Sequence, residues 1–324
     1  MPSNPKNLLK KKSRLVAILG PTATGKTALA IALAKQFPIE ILSGDSMLVY
    51  KGFDIGAAKP TPEEQAGVPH WLVDILEPAA NFSVSQFQTL AQQIIAEIEA
   101  RGHLPVLVGG TGLYAQSLLE DYAFNQQAGN EDFRAHIQAI AREKGKEHVW
   151  HMLHHVDPET ANRLHPHNFH RVMRALEVAL LGGESISKAK RVDGALAYDA
   201  YVLGLTCDRP RLYARIEQRV HQMMRAGLMQ ETKNLLAQGV SPQAQAMQGI
   251  GYREAVRALQ GKMKIEDVVP AIQLATRHFA KRQRTWFRRM PYIHWYDIEQ
   301  PSLGSLCTRV CRDVQHWLLQ KGSA

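Results

Sequence analysis

The sequence predicts an α/β fold: a parallel sheet flanked by helices and interrupted by a helical insertion. Three observations lead there. An apolar run, Leu15-Val16-Ala17-Ile18-Leu19, feeds a glycine-rich loop and then a helix-forming stretch from Thr27 to Phe37. Two further runs, Glu40-Ile41-Leu42-Ser43 and Pro105-Val106-Leu107-Val108, each end in a short loop rich in small or polar residues. From about Glu131 to Leu181 the β signals fade into polar helical text, and Tyr201-Val202-Leu203-Gly204-Leu205 then resumes them. Short apolar runs alternating with helical stretches are the pattern of buried parallel strands wrapped by helices. The expected division is a basic N-terminal extension over 1–13, an α/β core with C-terminal helices over 14–122 and 198–324, and a helical insertion over 123–197.

The first loop, Gly20-Pro21-Thr22-Ala23-Thr24-Gly25-Lys26-Thr27, fits the pattern G-x-x-x-x-G-K-[ST] at every fixed position. Gly20 and Gly25 let the backbone curl so that successive N–H groups point at an anion, and the following helix adds its N-terminal partial charge. Lys26 supplies a cation, and the Thr27 hydroxyl is the expected Mg2+ ligand. By pattern alone this is the loop of nucleotide-binding, ATP-binding proteins, so the sheet is expected to be P-loop NTPase-like.

The second loop reads Gly44-Asp45-Ser46-Met47-Leu48-Val49-Tyr50 and the third Gly109-Gly110-Thr111-Gly112-Leu113-Tyr114. In a parallel sheet the loops after three strands open on one edge, where such sheets bind ligands. The third loop lacks the acidic residue with which an ATPase holds its metal at a strand end. Asp45 is the nearest candidate acid, although a turn or cap aspartate is a common alternative.

The chain has 324 residues, 45% of them hydrophobic, enough for a large core and two domains. Its 39 Lys and Arg outnumber 30 Asp and Glu, a net charge of +9 that favours an anionic partner. Cys207, Cys307 and Cys311 form no even framework and no C-x-x-C pair, as expected of a cytoplasmic protein. The Lys10-Lys11-Lys12 run ahead of Leu15 resembles a secretion signal, but the apolar run is short and leads into the phosphate loop, so no signal is expected. Nor does any apolar run approach the ~18 residues of a membrane span.

Eight of the 14 histidines lie between residues 131 and 181. His148, His151 and His155 recur at helical spacing without accompanying ligands, so a solvated or partner-facing helix is expected there rather than a metal site. Arg171 and Arg174 share a helix face. Arg211, Arg215 and Arg219 recur every fourth residue of a helix starting near Arg211 and read as a charged outer face. In the helix from Ala271 to Arg289, Arg277, Lys281, Arg284 and Arg288 form a narrow basic stripe, with Ile272, Ala275, Phe279 and Trp286 expected to face the core.

Taken together, the phosphate loop, Asp45-Ser46 with Val49-Tyr50, Asp54-Ile55-Gly56 with Ala58-Lys59-Pro60, Gly109 to Tyr114, Arg171 to Glu177, Arg215 to Arg219, Gly251-Tyr252-Arg253 and Lys281 to Trp286 resemble the bacterial tRNA dimethylallyltransferases. The resemblance covers nearly the whole chain. Gly44 and Ala57 depart from the family, which usually has another small residue and threonine there. The resemblance implies transfer of a five-carbon group from dimethylallyl diphosphate to N6 of the adenine 3′ to the anticodon, position 37, in tRNAs that read codons beginning with U. It implies Asp45 as general base, Arg219 and Thr22 as catalytic partners, Gly20 to Thr27 as the diphosphate cradle, and Mg2+ on Thr27. It also implies RNA contacts from Asp45, Ser46, Met47, Leu48 and Thr111, from Arg134, and from His170, Arg171, Val172, Met173 and Arg174. Further contacts are implied for Gln248, Gly249, Ile250, Gly251, Tyr252 and Arg253, and for Lys281, Arg282, Gln283, Arg284, Thr285, Trp286, Phe287 and Arg288. The partner is then a tRNA anticodon stem-loop, with a monomeric enzyme as the default.

The residues alone leave three other readings open. A kinase would use the same loop with ATP but gives the basic helix no role. A prenyltransferase acting on free AMP would need no helical insertion. An RNA-binding NTP switch would need the missing strand-end acid.

Overall fold

The computed structural model describes residues 12–124, 130–181, 195–299 and 303–320, so most of the N-terminal extension and both margins of the expected insertion lie outside the described residues. The elements run β1 (Arg14–Leu19), α1 (Lys26–Ala34), β2 (Ile39–Ser43), α2 (Pro62–Gln65), β3 (His70–Trp71), α3 (Val84–Ala100), β4 (Leu104–Gly109) and α4 (Gly112–Leu119). Then come α5 (Glu131–Lys144), α6 (Lys146–Val156), α7 (Pro158–Asn162), α8 (Phe169–Leu180) and β5 (Asp199–Thr206). The chain ends with α9 (Arg209–Ala226), α10 (Leu228–Ala237), α11 (Tyr252–Leu259), α12 (Val268–Phe287), β6 (His294–Asp297) and α13 (Leu303–Gln320). It divides into two compact units, 1–119 with 196–324, and 120–195. Among the described residues no helix is long and apolar enough to cross a membrane.

The larger unit is built on a six-stranded sheet of order β3-β2-β4-β1-β5-β6, every neighbour parallel. Strands β1, β2 and β4 are buried almost throughout because helices cover both faces, and side chains alternate between two cores. Val16 and Ile18 pack with Leu29 and Leu33 of α1 and Val310 and Val314 of α13. Leu15, Ala17 and Leu19 join the opposite cluster with Phe87 and Ile95 of α3 and Leu118 of α4. Strands β3 and β6, of two and four residues, carry too little pattern for the sequence to have predicted them.

Helix α9 shows how sequence aims a functional side chain. The Asp208 side chain accepts from the Arg211 N–H at 3.0 Å and caps the helix, Pro210 suits its first turn, and Gly227 in the left-handed region (φ 102°) ends it. Leu212, Ile216 and Val220, four apart, bury one stripe, which leaves Arg215 and Arg219 beside it.

At the opening of β2, Glu40 is buried and accepts from Arg101 Nε and Nη2 at 2.9 and 2.8 Å and from Trp71 Nε1 at 2.7 Å. His103 Nδ1 lies 2.8 Å from it. The Arg101 guanidinium, outweighing burial and aided by Trp71 and His103, holds this carboxyl down to about 2. A depressed acid stabilises the fold fully above its ordinary pKa, and that contribution is lost as pH falls from about 4.5 towards 2. Glu40→Gln is therefore expected to lower the melting temperature at pH 7 and to flatten the acid limb of melting temperature against pH. A wild-type acid limb in the variant would count against the network.

The smaller unit packs α5 to α8 around Ile137, Val149, Leu153, Val172 and Leu176. Its most deeply buried acid among the described residues, Glu177, accepts from Arg134 Nε and Nη2 at 3.0 Å each, from Arg174 Nη1 at 2.7 Å and from the Asn130 N–H at 2.7 Å. Burial pushes this carboxyl up, but the two guanidiniums and the amide together hold it below its ordinary value. Glu177→Gln is expected to destabilise this unit by about 2 kcal/mol, the scale of lost charge-assisted hydrogen bonds. Hydrogen exchange confined to α5 and α8 would read it, and unchanged exchange there would contradict it.

Candidate active site

The phosphate loop leaves β1 and enters α1 through Gly25 at φ 86°, with Ala23 also left-handed at φ 65°. No side chain caps α1, so its first N–H groups are free to meet an anion. Thr24 Oγ1 and Lys26 Nζ each donate to the Pro21 carbonyl at 2.8 Å, closing the loop on itself. Two longer-range contacts brace it. Arg215 Nε donates to the Ala23 carbonyl at 2.7 Å, and the Thr22 N–H donates to Gln283 Oε1 at 2.9 Å. Burial, with Arg219 adding to it and Asp45 opposing, brings the Lys26 ammonium down to about 8. Burial likewise lowers Arg219, against the attraction of Asp45 and Glu64. Two crowded, desolvated cations facing one carboxylate make a strong anion site.

Asp45 follows β2. Its Oδ1 accepts from the Met47 N–H at 2.8 Å, the turn that a short acidic side chain favours, and the Ser46 N–H donates to Thr111 Oγ1 at 3.3 Å, joining the second and third loops. Asp45 is thus a turn aspartate, and the turn also fixes its direction. A cavity of about 800 Å3 runs from Lys26 and Thr27 to Asp45 and Arg219. A second, of about 360 Å3, is lined by Ser46, Met47, Thr111, Gln248, Gly249, Ile250, Arg253 and Arg282. Thr22, Asp45, Ala57, Arg219, Met223 and Phe279 line both. The two cavities therefore meet at the three residues expected to be catalytic.

Arg215 and Arg219 do not form the charged outer face expected of them: one braces the phosphate loop and the other enters the cavities. Hydrophobic spacing alone cannot separate a polar side chain facing solvent from one facing a polar cavity.

The residues expected at RNA are placed unevenly. His170 and Arg171 are exposed on α8, whereas Val172 and Met173 are buried in the helical core. Their side chains are turned away from any ligand. Arg134 and Arg174 are held by Glu177. Leu48 lines the larger cavity. Tyr252 is fully buried; its hydroxyl donates to Glu231 Oε1 at 2.6 Å and accepts from the Gly56 N–H at 3.0 Å. Gly251, also buried, opens α11.

On α12, Lys281, Arg282, Thr285 and Arg288 are exposed, Arg284 and Trp286 half-buried, and Gln283 and Phe287 buried. The buried residues of the helix are Val268, Ile272, Ala280, Gln283 and Phe287; of the expected core side Ile272 is buried and Trp286 packs against the core, whereas Phe279 serves as a cavity wall. Arg277, assigned to the basic stripe, pairs with Glu217 and lies over the Tyr213 ring.

Sequence reasoning missed Glu231. Its carboxylate gathers the N–H groups of Asp54, Ile55 and Gly56 between 2.9 and 3.2 Å, while Lys59 ties the same segment to Asp54, Asp74 and the Tyr50 carbonyl. No local signal links positions 54 and 231. For a metal, the described residues contain no group of three His, Cys, Asp or Glu. Of the oxygen donors lining the larger cavity, which also include Thr22, Asp54, Thr61 and Glu64, the Thr27 and Ser43 hydroxyls and Asp45 come from the end of the phosphate loop and the end of β2. This sparse oxygen set fits Mg2+ shared with substrate phosphates.

Residues 48–290 match the IPP transferase family. The chain is 46% identical over 297 residues to a Desulfitobacterium hafniense protein named tRNA dimethylallyltransferase, covering 90% of this chain and 94% of the relative. A Bacillus licheniformis protein of the same name is 45% identical over 295 residues, covering 90% and 93%. Among solved structures, the full-length tRNA isopentenylpyrophosphate transferase of Bacillus halodurans aligns with a TM-score of 0.73 at 40% identity, over 96% of this chain and 98% of that one. A eukaryotic dimethylallyltransferase described as acting on tRNA aligns with a TM-score of 0.77 at 26% identity, over 94% and 80%. With a family match across more than half of its length and relatives aligned over nearly all of it, the chain belongs to the IPP transferase family.

Proposed function

We propose that this chain transfers the dimethylallyl group of dimethylallyl diphosphate to N6 of the adenine 3′ to the anticodon in tRNAs reading codons that begin with U. The observation that carries the reading is the meeting of two cavities at Thr22, Asp45 and Arg219. One leads to a phosphate cradle and the other opens among polar and basic residues suited to a flipped-out base. The relatives' activity on tRNA supports the class of acceptor.

In this mechanism the lone pair of N6 attacks C1 of the donor as the C1–O bond breaks and diphosphate departs. N6 is a weak nucleophile because its lone pair is delocalised into the ring, so the Asp45 carboxylate takes its proton as the C–N bond forms. The leaving diphosphate gathers negative charge, met by the loop N–H groups, Lys26, Arg219 and the hydroxyls of Thr22 and Thr27. Mg2+ held by Thr27 and the phosphates would neutralise part of that charge. The diphosphate role also explains why a third-loop acid is dispensable: no γ-phosphate has to be attacked by water. The target base must leave its stack to enter the smaller cavity; Gln248, Arg253 and the exposed residues of α12 are the proposed grip on the loop, and His170 and Arg171 are proposed RNA contacts of the smaller unit. Every group used in this mechanism comes from one chain, and the proposed enzyme is a monomer acting in the cytoplasm.

The test is a transfer assay with labelled dimethylallyl diphosphate, Mg2+ and unmodified tRNA beside AMP and ATP controls. Label is expected in tRNA alone, and Asp45→Asn is expected to lower the rate by about 10²-fold or more while tRNA still binds. Label in AMP, or ATP turnover without transfer, would sink the reading. Replacing Lys281, Arg282 and Arg288 together with Ala is expected to weaken tRNA binding and reduce the slope of log affinity against log salt by about 2. Arg277→Ala should change the slope little, since Glu217 already neutralises it. An equal slope change in both variants would refute this assignment.

A further inference from the structure

We propose that Gln283 is a positioning residue of the donor site: its side-chain amide clamps the phosphate loop to the third loop and so holds Thr22 where the two cavities meet. This rests on the function proposed above and reassigns a residue that the family resemblance placed at the RNA.

Gln283 lies in the most basic and exposed stretch of α12, yet it is only 5% exposed. Its Oε1 accepts from the Thr22 N–H at 2.9 Å, and its Nε2 donates to the Gly110 carbonyl at 2.9 Å. A backbone N–H can only donate and a carbonyl can only accept, so one orientation of the amide satisfies both partners and the reverse satisfies neither. Buried polar groups are rarely left unpaired, and here one planar group pairs two loops that follow different strands. The approach is close. A β-carbon at position 110 would lie 2.4 Å from Gln283 Nε2, so the third loop can press on the amide only as glycine.

The consequence falls on Thr22. With its N–H turned to Gln283, that amide is withdrawn from the anion, and the rest of the residue lines both cavities beside Asp45 and Arg219. An RNA contact would require the buried amide to leave both of its backbone partners. The neighbours Lys281 and Arg282, being exposed, need no such change. Helix α12 thus presents cations outward while holding the donor loop inward, through adjacent residues.

The test uses the full chain and four proteins: wild type, Gln283→Ala, Gly110→Ala and the double variant. Three quantities are read: tRNA affinity, inhibition by inorganic diphosphate with Mg2+, and the single-turnover transfer rate with both substrates saturating. Each single variant is expected to lose about 10- to 100-fold in that rate, the scale of a misplaced reacting group. Each should also weaken diphosphate inhibition, with tRNA affinity within about twofold of wild type. The double variant is expected to be no worse than Gln283→Ala, because the new β-carbon then has no amide to strike. Loss of tRNA affinity with an unchanged saturated rate would overturn the proposal in favour of an RNA contact, and so would additive losses in the double variant. Should Gln283→Ala melt too low to assay, Gly110→Ala carries the same measurement with the amide still present. A wild type that binds diphosphate but transfers nothing would sink the function, while the diphosphate arm would still decide the role of Gln283.

Discussion

The parallel register of β2, β4 and β1 is the constraint on which the rest of the structure depends. Side by side in the sheet, these strands deliver the phosphate loop, the Asp45 loop and the Gly109–Gly112 loop to one edge. None of the three would suffice alone. The first can cradle an anion but holds no base, the second holds a carboxylate but no anion site, and the third contributes mainly small residues that let the others approach. Cross-links then convert proximity into geometry: Ser46 to Thr111, Thr22 to Gln283, and Gln283 to Gly110.

Helix α9 closes the arrangement from the other side. Its buried stripe of Leu212, Ile216 and Val220 sets the angle at which Arg215 meets the phosphate loop and Arg219 reaches the cavities. Lys26 and Arg219 are each pulled down by burial, and each lowers or is offset by its neighbours, with Asp45 the common counter-charge. Such a site is under electrostatic tension until an anion arrives. In the proposed reaction that tension favours the departing diphosphate, whose charge grows as the bond to carbon breaks.

Much of this was legible in the sequence because the informative features are local. The phosphate loop carries its own flanking strand and helix, and the strands of the central sheet announce themselves as apolar runs between loops. What was illegible depends on contacts across long separations. Glu231 organises residues 54 to 56, and nothing near either segment hints at the other. On α12 the expected core side was right for Ile272 and Trp286, but two neighbours differ for a related reason. Phe279 is apolar but walls a cavity, whereas Gln283, which the resemblance placed at the RNA, is polar but buried, and polarity alone foretells neither. Arg134 and Arg174 looked like free cations until Glu177, three residues beyond the second, was seen to hold both. A basic residue declares its charge in a sequence but not whether that charge is already spoken for.

The most direct test of the central claim, that donor and acceptor meet at Asp45 from two different cavities, is a crystal structure of the complex with a non-hydrolysable dimethylallyl thiolodiphosphate and an anticodon stem-loop. The account requires the diphosphate in the loop from Gly20 to Thr27, the flipped adenine in the smaller cavity beside Gly249 and Arg253, and its N6 within hydrogen-bond reach of the Asp45 carboxylate. An adenine in the larger cavity alongside the donor, or one whose N6 faces away from Asp45, would contradict it.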